Sequence, residues 1–416
     1  MLKHLRLRNV GPAPELEMSL APRLNLVTGD NGLGKTFLLD VAWWALTRTW
    51  ARYPALPAPP PAEAELSYQY DAKTKAFEHT SRFDRATERW SMKHGRPPNP
   101  GLVLYAQVDG GFSVWDPARN YWKDDEPERP ASYLFSAAQV WDGNDLCEGL
   151  IRDWASWQRE NGSTFAQLKA VLRTLSPSLS DALVPGELRK LSLDDPKRYP
   201  TLRMPYGEEV AVIHASAGMR RVIALAYLLV WTWQEHVAAC QLRGDTPARE
   251  IIFLIDEIEA HLHPQWQRRV VPALLEVMSV LTGQHAAAVQ LLAATHSPLV
   301  LASIEPHFKQ DEDRVFLLDI DPATKVVQLH EQPWSMQGDV VNWLVSESFG
   351  LHQGRSLEAE QAIEAAEAWM RGERAGLPSQ LATQEAIHAE LVRVLAEHDP
   401  FWPRWVVSSE KAAKGA

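Results

Sequence analysis

The densest chemistry in the chain lies in Gly29-Asp-Asn-Gly-Leu-Gly-Lys-Thr36. The run matches GxxxxGK(S/T) and stands between an apolar segment, Arg23-Leu-Asn-Leu-Val-Thr28, and a segment with helical periodicity. Glycines at this spacing let backbone amides turn inward around a β-phosphate, and the following helix adds its positive amino terminus. Asn31, Gly32 and Gly34 are the loop positions expected against the phosphates. Lys35 is expected to bridge the β- and γ-phosphates, and Thr36 to ligate Mg²⁺. A second constellation is Ile251-Ile-Phe-Leu-Ile-Asp-Glu257, an apolar run that ends in two carboxylates, as a parallel strand buried on both faces would. Asp256 is expected to hold Mg²⁺ through water, and Glu257 to orient and deprotonate an attacking water. An apolar run ending in acids is commonplace by itself; a complete phosphate loop upstream gives it meaning. Together the two imply that ATP and Mg²⁺ are bound and ATP is hydrolysed.

Three more segments follow in a telling order. Ala215-Ser-Ala-Gly-Met-Arg220 opens a long apolar helix shortly before the paired carboxylates, and in isolation it reads as a capped helix start. Glu259-Ala-His-Leu-His-Pro264 follows the carboxylates, and Ala294-Thr-His-Ser-Pro298 follows the next apolar strand. His261 and His263 suggest a metal pair, yet no third ligand accompanies them. The order of these segments resembles ABC-type ATPases. That resemblance implies that Ser216 and Gly218 form the signature that contacts a γ-phosphate held by the opposite subunit. It implies that His296 is the switch histidine at the γ-phosphate, and that residues 259–264 are the loop meeting the partner. It also implies a glutamine that contacts Mg²⁺ and water. Gln139, in Ser136-Ala-Ala-Gln-Val-Trp141, follows a strand and opens the helical part, and is favoured over its rival Gln107.

These residues need a scaffold. Leu2, Leu5 and Leu7 alternate with basic residues as a first strand, with a turn before the strand at 23–28. A helix is predicted from Lys35 to about Trp50, with Phe37, Leu38, Val41, Trp44 and Leu46 inward. Pro54 to Pro61 is a connector, and 63–136 is strand-rich at Ser67–Tyr70, Phe77–Phe83, Leu102–Val108 and Ser132–Phe135. Helices are expected over 146–175 and from Ala217, separated by a polar stretch at 176–206. Apolar strands at 251–255 and 289–293 precede a hairpin of Val315–Asp319 and Val326–Leu329, and from Gly338 three helices close the chain, one capped by Ser356. The fold class is therefore α/β: an ABC-type phosphate-loop ATPase head with a mixed central sheet, an antiparallel β part and a helical lobe carrying the signature. Its divisions are 1–140 with the phosphate loop, 141–248 as helical lobe, 249–337 with the carboxylates and His296, and 338–416 as helical tail.

Composition sets outer limits. The chain has 416 residues, 45% hydrophobic and 23% charged, a balance typical of a folded protein. Its net charge of −11 offers no global attraction to nucleic acid or anionic lipid, so DNA binding would need a local patch. Cys147 and Cys240 are the only cysteines, which excludes a disulfide framework. The amino terminus lacks a secretory apolar core, and Val222–Trp233 is shorter than the ~20 residues of a bilayer span. A cytoplasmic protein without a membrane is expected.

Within the ABC group the chain resembles the SMC/RecF/OLD branch, over roughly residues 1–50 and 205–335. Asp256-Glu-Ile-Glu-Ala-His-Leu-His-Pro264 followed by Ala294-Thr-His-Ser-Pro298 is similar to the OLD-type variant, although too little chain follows His296 for the Toprim nuclease domain of OLD nucleases. The signature reads Ala-Ser-Ala-Gly-Met rather than LSGGQ, which speaks against a transporter subunit. Phe349-Gly-Leu351 and Asp399-Pro-Phe-Trp402 are similar to segments of stand-alone bacterial anti-phage ATPases of Septu and retron systems. The resemblance implies a homodimer or higher oligomer closed through its ATP sites, sensing DNA or a phage component and controlling a separate effector, a nuclease. A RecF- or SMC-like repair ATPase acting directly on DNA is the alternative. Phe401, Trp402 and Trp405 are the expected effector-docking anchors, against the simpler reading that they pack the last helix.

Overall fold

The computed structural model describes residues 1–71, 76–93, 95–99, 101–120, 130–283 and 287–407. Strand β1 (Leu2–Arg8) is followed by β2 (Glu15–Ser19), β3 (Leu24–Gly29) and helix α1 (Lys35–Thr47). Then come β4 (Glu65–Asp71), β5 (Ala76–Asp84), β6 (Arg89–Trp90), β7 (Leu102–Ala106), β8 (Phe112–Trp115) and β9 (Tyr133–Phe135). The helical lobe holds α2 (Ala137–Asp142), α3 (Leu150–Glu160), α4 (Ser163–Thr174) and α5 (Ala217–Arg243). Between α4 and α5 lie β10 (Val184–Pro185), β11 (Thr201–Arg203) and β12 (Glu209–Ala211). The remaining elements of this unit are β13 (Glu250–Ile255), α6 (Pro264–Gln267), α7 (Val270–Thr282), β14 (Ala288–Ala294), α8 (Pro298–Ile304), β15 (Asp313–Ile320) and β16 (Val327–Glu331).

Three sheets result. The largest has the order β16-β15-β3-β14-β13-β7-β8-β9. Its middle, from β15 through β3, β14 and β13 to β7, is parallel, and its outer pairs are antiparallel. An antiparallel sheet runs β2-β1-β4-β5-β6, and a small one runs β10-β11-β12. This is the mixed central sheet, antiparallel part and helical lobe of the expected class. Apolar runs at β3, β13 and β14 are buried on both faces because each lies between two parallel neighbours.

Helix α1 is buried nearly all round, not on one stripe. Leu38, Val41, Trp44 and Leu46 are buried as expected, but so are Leu39, Trp43 and Ala45, while Phe37 is only half-buried. One core cluster explains this: it joins α1 to Leu5, Leu66 and Tyr68 of the antiparallel sheet and to Tyr105, Leu254 and Leu292 of the mixed sheet. Removing one such buried ring typically costs about 3–5 kcal/mol, so α1 and the phosphate loop at its start are held firmly. Helix α5 is long and apolar enough to cross a membrane by length and composition, yet 61% of its most apolar stretch is buried inside the protein. It is a core helix.

Met1–Val340 forms one compact unit and Val341–Ala416 a second. The tail carries α9 (Val340–Leu344), α10 (Leu357–Arg371) and α11 (Gln384–Val394), and Ser356 does cap α10. Phe401 and Trp405 are not presented as anchors; both are buried with Ile363, Ile387 and Leu391 in the tail's own core. Trp402 is half-buried, its Nε1 donating to the Ala396 carbonyl at 2.8 Å. Residues 408–416 lie outside the described residues.

Candidate active site

Parallel strands deliver their carboxyl ends to one edge of a sheet, which is where α/β folds bind ligands. Here β3 ends in the phosphate loop, β13 in Asp256 and Glu257, and β14 in Thr295 and His296. Asn31, Gly32, Gly34, Lys35, Thr36, Asp256, Glu257 and His296 line one cavity of about 320 Å³, together with Phe37 and Asp40. The loop bends at Gly29 and Gly34, with φ of 130° and 104°, a region that favours glycine. A Cβ on Gly29 would meet the Leu318 carbonyl oxygen at 2.0 Å, so no other residue fits there without displacing β15.

Lys35 is buried, and its Nζ donates to the carbonyls of Gly29 at 2.8 Å and Asp30 at 2.7 Å. Burial lowers its pKa, against the opposing pull of Asp30. The Thr36 hydroxyl lies 2.9 Å from both oxygens of Asp256. A hydroxyl that donates to a carboxylate keeps its lone pairs for a cation, so this donor set fits Mg²⁺. Asp256 is fully buried, and burial raises its pKa. Arg52 offsets that: its Nη2 stands 3.4 Å from Asp256 Oδ2, 3.1 Å from Asp40 Oδ1 and 2.6 Å from the Tyr105 hydroxyl, which itself donates to Asp40 at 3.0 Å. Arg52, Asp40 and Tyr105 were invisible as site residues in the sequence. Only an acid one helical turn beyond Thr36 hinted at them.

His296 sits half-buried, its pKa lowered by burial and then by the Lys35 charge. Glu259 fixes the turn around it, accepting from the Thr295 hydroxyl at 2.7 Å and the His296 backbone N–H at 2.5 Å. Glu257 has a left-handed backbone, φ 45°. His263 caps α6 through Nδ1.

Gln139 is not brought to this group. Its Oε1 accepts from the Ser136 backbone N–H at 2.9 Å, completing a capping box at the start of α2. The strand-end position belongs to Gln107, which directly follows β7, the parallel neighbour of β13, and is buried with its Nε2 donating to Ser113 Oγ at 2.9 Å. Ser216 and Gly218 also lie outside the phosphate-loop cavity of their own chain. Ser216 is exposed and caps α5, accepting from the Met219 N–H at 3.3 Å. A Cβ on Gly218 would stand 2.5 Å from the His261 carbonyl oxygen, so this glycine permits close packing against the turn after Glu259.

Known proteins resemble parts of this chain. The chain is 30% identical over 102 residues to "Retron Ec83 probable ATPase" of Escherichia coli, covering 24% of this chain and 15% of that protein. It is 29% identical over 114 residues to "Septu protein PtuA" of Bacillus thuringiensis, covering 27% and 26% respectively. The chain thus spans only a small part of the length of the curated relatives it matches. Among solved structures, the SMC head domain from Thermotoga maritima aligns with a TM-score of 0.40 at 13% identity, over 80% of this chain and 99% of that one. That likeness is too loose to add to the description of the fold. Residues 24–302, which hold the phosphate loop, the paired carboxylates and His296, match the family described as "AAA domain, putative AbiEii toxin, Type IV TA system", and the chain belongs to that family.

Proposed function

We propose that the chain binds Mg-ATP, hydrolyses it between two copies of itself, and uses that cycle in a bacterial anti-phage system to control a separate effector nuclease. The observation that carries the ATPase part is the Thr36 hydroxyl set 2.9 Å from both oxygens of Asp256 at the mouth of a glycine-shaped loop. Thr36 and Asp256 would hold Mg²⁺, whose chemistry is to neutralise charge on the phosphates. Lys35 binds and orients the terminal phosphates, Glu257 takes the proton of the attacking water, and His296 attends the reacting group. Ser216 and Gly218 complete the partner's site, which accounts for the exposure of Ser216 away from its own loop. The regulatory part rests on the resemblance to ATPases of retron and Septu systems, with a cytoplasmic setting.

Direct action on DNA is the less favoured reading. The exposed face of the antiparallel sheet carries Lys3, Arg6, Arg8 and Arg82, but each already pairs with Asp71, Glu15 or Glu65. Such a face is close to neutral and offers little to a phosphate backbone.

The test compares two variants. Lys35→Ala is expected to lose ATP binding, whereas Glu257→Gln retains binding and turns over ~10²–10⁴-fold more slowly, the usual worth of a general base. Equal loss of affinity in both would contradict the assigned roles.

A further inference from the structure

Arg221 lies in the second turn of α5, beyond Ser216 and Gly218. Its Nη1 donates to the Val108 carbonyl at 2.9 Å, and its Nη2 to the carbonyls of Asp256 at 2.8 Å and Glu257 at 3.0 Å. Burial lowers its pKa, and among the described residues no carboxylate forms an ion pair with it. A mostly buried cation satisfied only by main-chain oxygens is unusual, because such a cation normally takes a carboxylate partner. What it grips is equally unusual. The three carbonyls lie at the carboxyl ends of two adjacent parallel strands, β7 and β13. One belongs to Glu257, whose left-handed backbone costs a non-glycine residue about 1–2 kcal/mol.

We propose that Arg221 is the positioning residue for Glu257, holding its backbone in the conformation that aims the carboxylate, and that it carries movements of the Ser216 end of α5 to that carboxylate. The inference rests on the ATPase reading above. Arg221 reaches Asp256 through its main-chain carbonyl alone and hydrogen-bonds neither the phosphate loop nor the Thr36 and Asp256 side chains, so it acts on turnover and not on nucleotide capture. A guanidinium makes three bonds here that a lysine ammonium, a point charge on a flexible stem, does not reproduce. The site also opens onto a cavity of about 340 Å³ lined by Gln107, Val108, Arg221 and Ile258, large enough to admit a free guanidinium ion.

The experiment measures steady-state ATPase kinetics and thermal melting of wild type, Arg221→Lys and Arg221→Ala, the last with and without added guanidinium at non-denaturing concentration. The expected result is a 10- to 100-fold fall in kcat in both variants, about the worth of one charged hydrogen bond. KM should stay within about twofold, and guanidinium should restore part of the kcat of Arg221→Ala. Unchanged kcat in a folded variant, a rise in KM with kcat retained, or a fall that guanidinium leaves untouched would overturn the proposal. Loss of folding in both variants would make Arg221 a structural residue and overturn it too. A wild type that folds but does not hydrolyse ATP would instead strike the ATPase reading, and the two failures are therefore distinguishable.

Discussion

Arg52→Met isolates the charge balance behind the proposed metal position. The wild-type guanidinium stands 3.1 Å from Asp40 Oδ1 and 3.4 Å from Asp256 Oδ2, with side-chain exposures of 21% for Arg52, 14% for Asp40 and none for Asp256. At an effective dielectric of about 20, unit charges at such a separation attract by roughly 5 kcal/mol before desolvation is subtracted. Desolvation removes part of this, leaving roughly 1.5–3 kcal/mol that keeps the Asp256 carboxylate ionised. Burial alone pushes both Asp40 and Asp256 above the ordinary carboxylate range. Without Arg52, protons compete more strongly for the ligand that Mg²⁺ needs deprotonated. At the acidic end of the activity range, half-saturation should therefore require about 10- to 100-fold more Mg²⁺ than in wild type. The sign reverses with pH: once Asp256 is ionised in both proteins, the variant lacks a repelling cation and should bind Mg²⁺ at least as well. Mg²⁺ titrations of ATPase activity across pH 5.5–9, with Met chosen to fill the volume, measure this. A defect of equal size at every pH would refute the electrostatic account and leave only a packing role.

Two further outcomes test the rest. Lys35→Ala and Ser216→Arg chains should each be inactive alone, and an excess of one mixed with the other should regain ATPase activity, because one of the two sites in a mixed dimer is intact; no recovery in demonstrated mixed dimers counts against a shared site. Asp153, whose Oδ2 accepts from Tyr227 at 2.7 Å, is pushed up to about 6 by burial. A raised folded-state pKa means stability is greatest below the unfolded value and falls as pH rises through about 6. Asp153→Asn, which keeps the acceptor without the charge, should be about 1–3 kcal/mol more stable than wild type at pH 8, with the gap closing near pH 4 in thermal melts.

Legibility followed the range of the interactions. The phosphate loop, the β13 and β14 runs and the Ser356 cap are written locally, because glycine turns, continuous apolar stretches and caps need only neighbouring residues. Strand β8 was missed, and with it the hairpin Asp109-Gly-Gly111 that returns β7 directly onto β8. Counting that turn, whose Asp-Gly pair is a hairpin signal, puts Gln107 at the end of a central parallel strand and Gln139 beyond the edge strand β9. Strand β2 was likewise missed, although Leu16 and Met18 alternate with acids on an edge strand. Arg52 and Arg221 were beyond any local rule, since their partners stand as far as 204 and 113 positions away in the chain. The docking role expected of the last aromatics failed for a physical reason: a short terminal unit needs its largest rings for its own core, and Phe401 and Trp405 are in it.

The helix that starts at Ser216, the residue proposed to reach a partner, is bound twice to the edge that carries Asp256 and Glu257. Gly218 lets α5 lie against the His261 carbonyl, and Arg221 grips Asp256 and Glu257. Glu259, from the same turn, holds the backbone of His296. A displacement of the α5 amino terminus therefore cannot leave this turn and the strand end untouched, because the close-packed contacts have no slack. In the proposed dimer, contact of Ser216 with a nucleotide in one site would reach Glu257 and His296 of the other through these residues. Coupling of this kind is a free energy shared by both sites. It makes paired firing, and not two independent hydrolyses, the behaviour the arrangement favours.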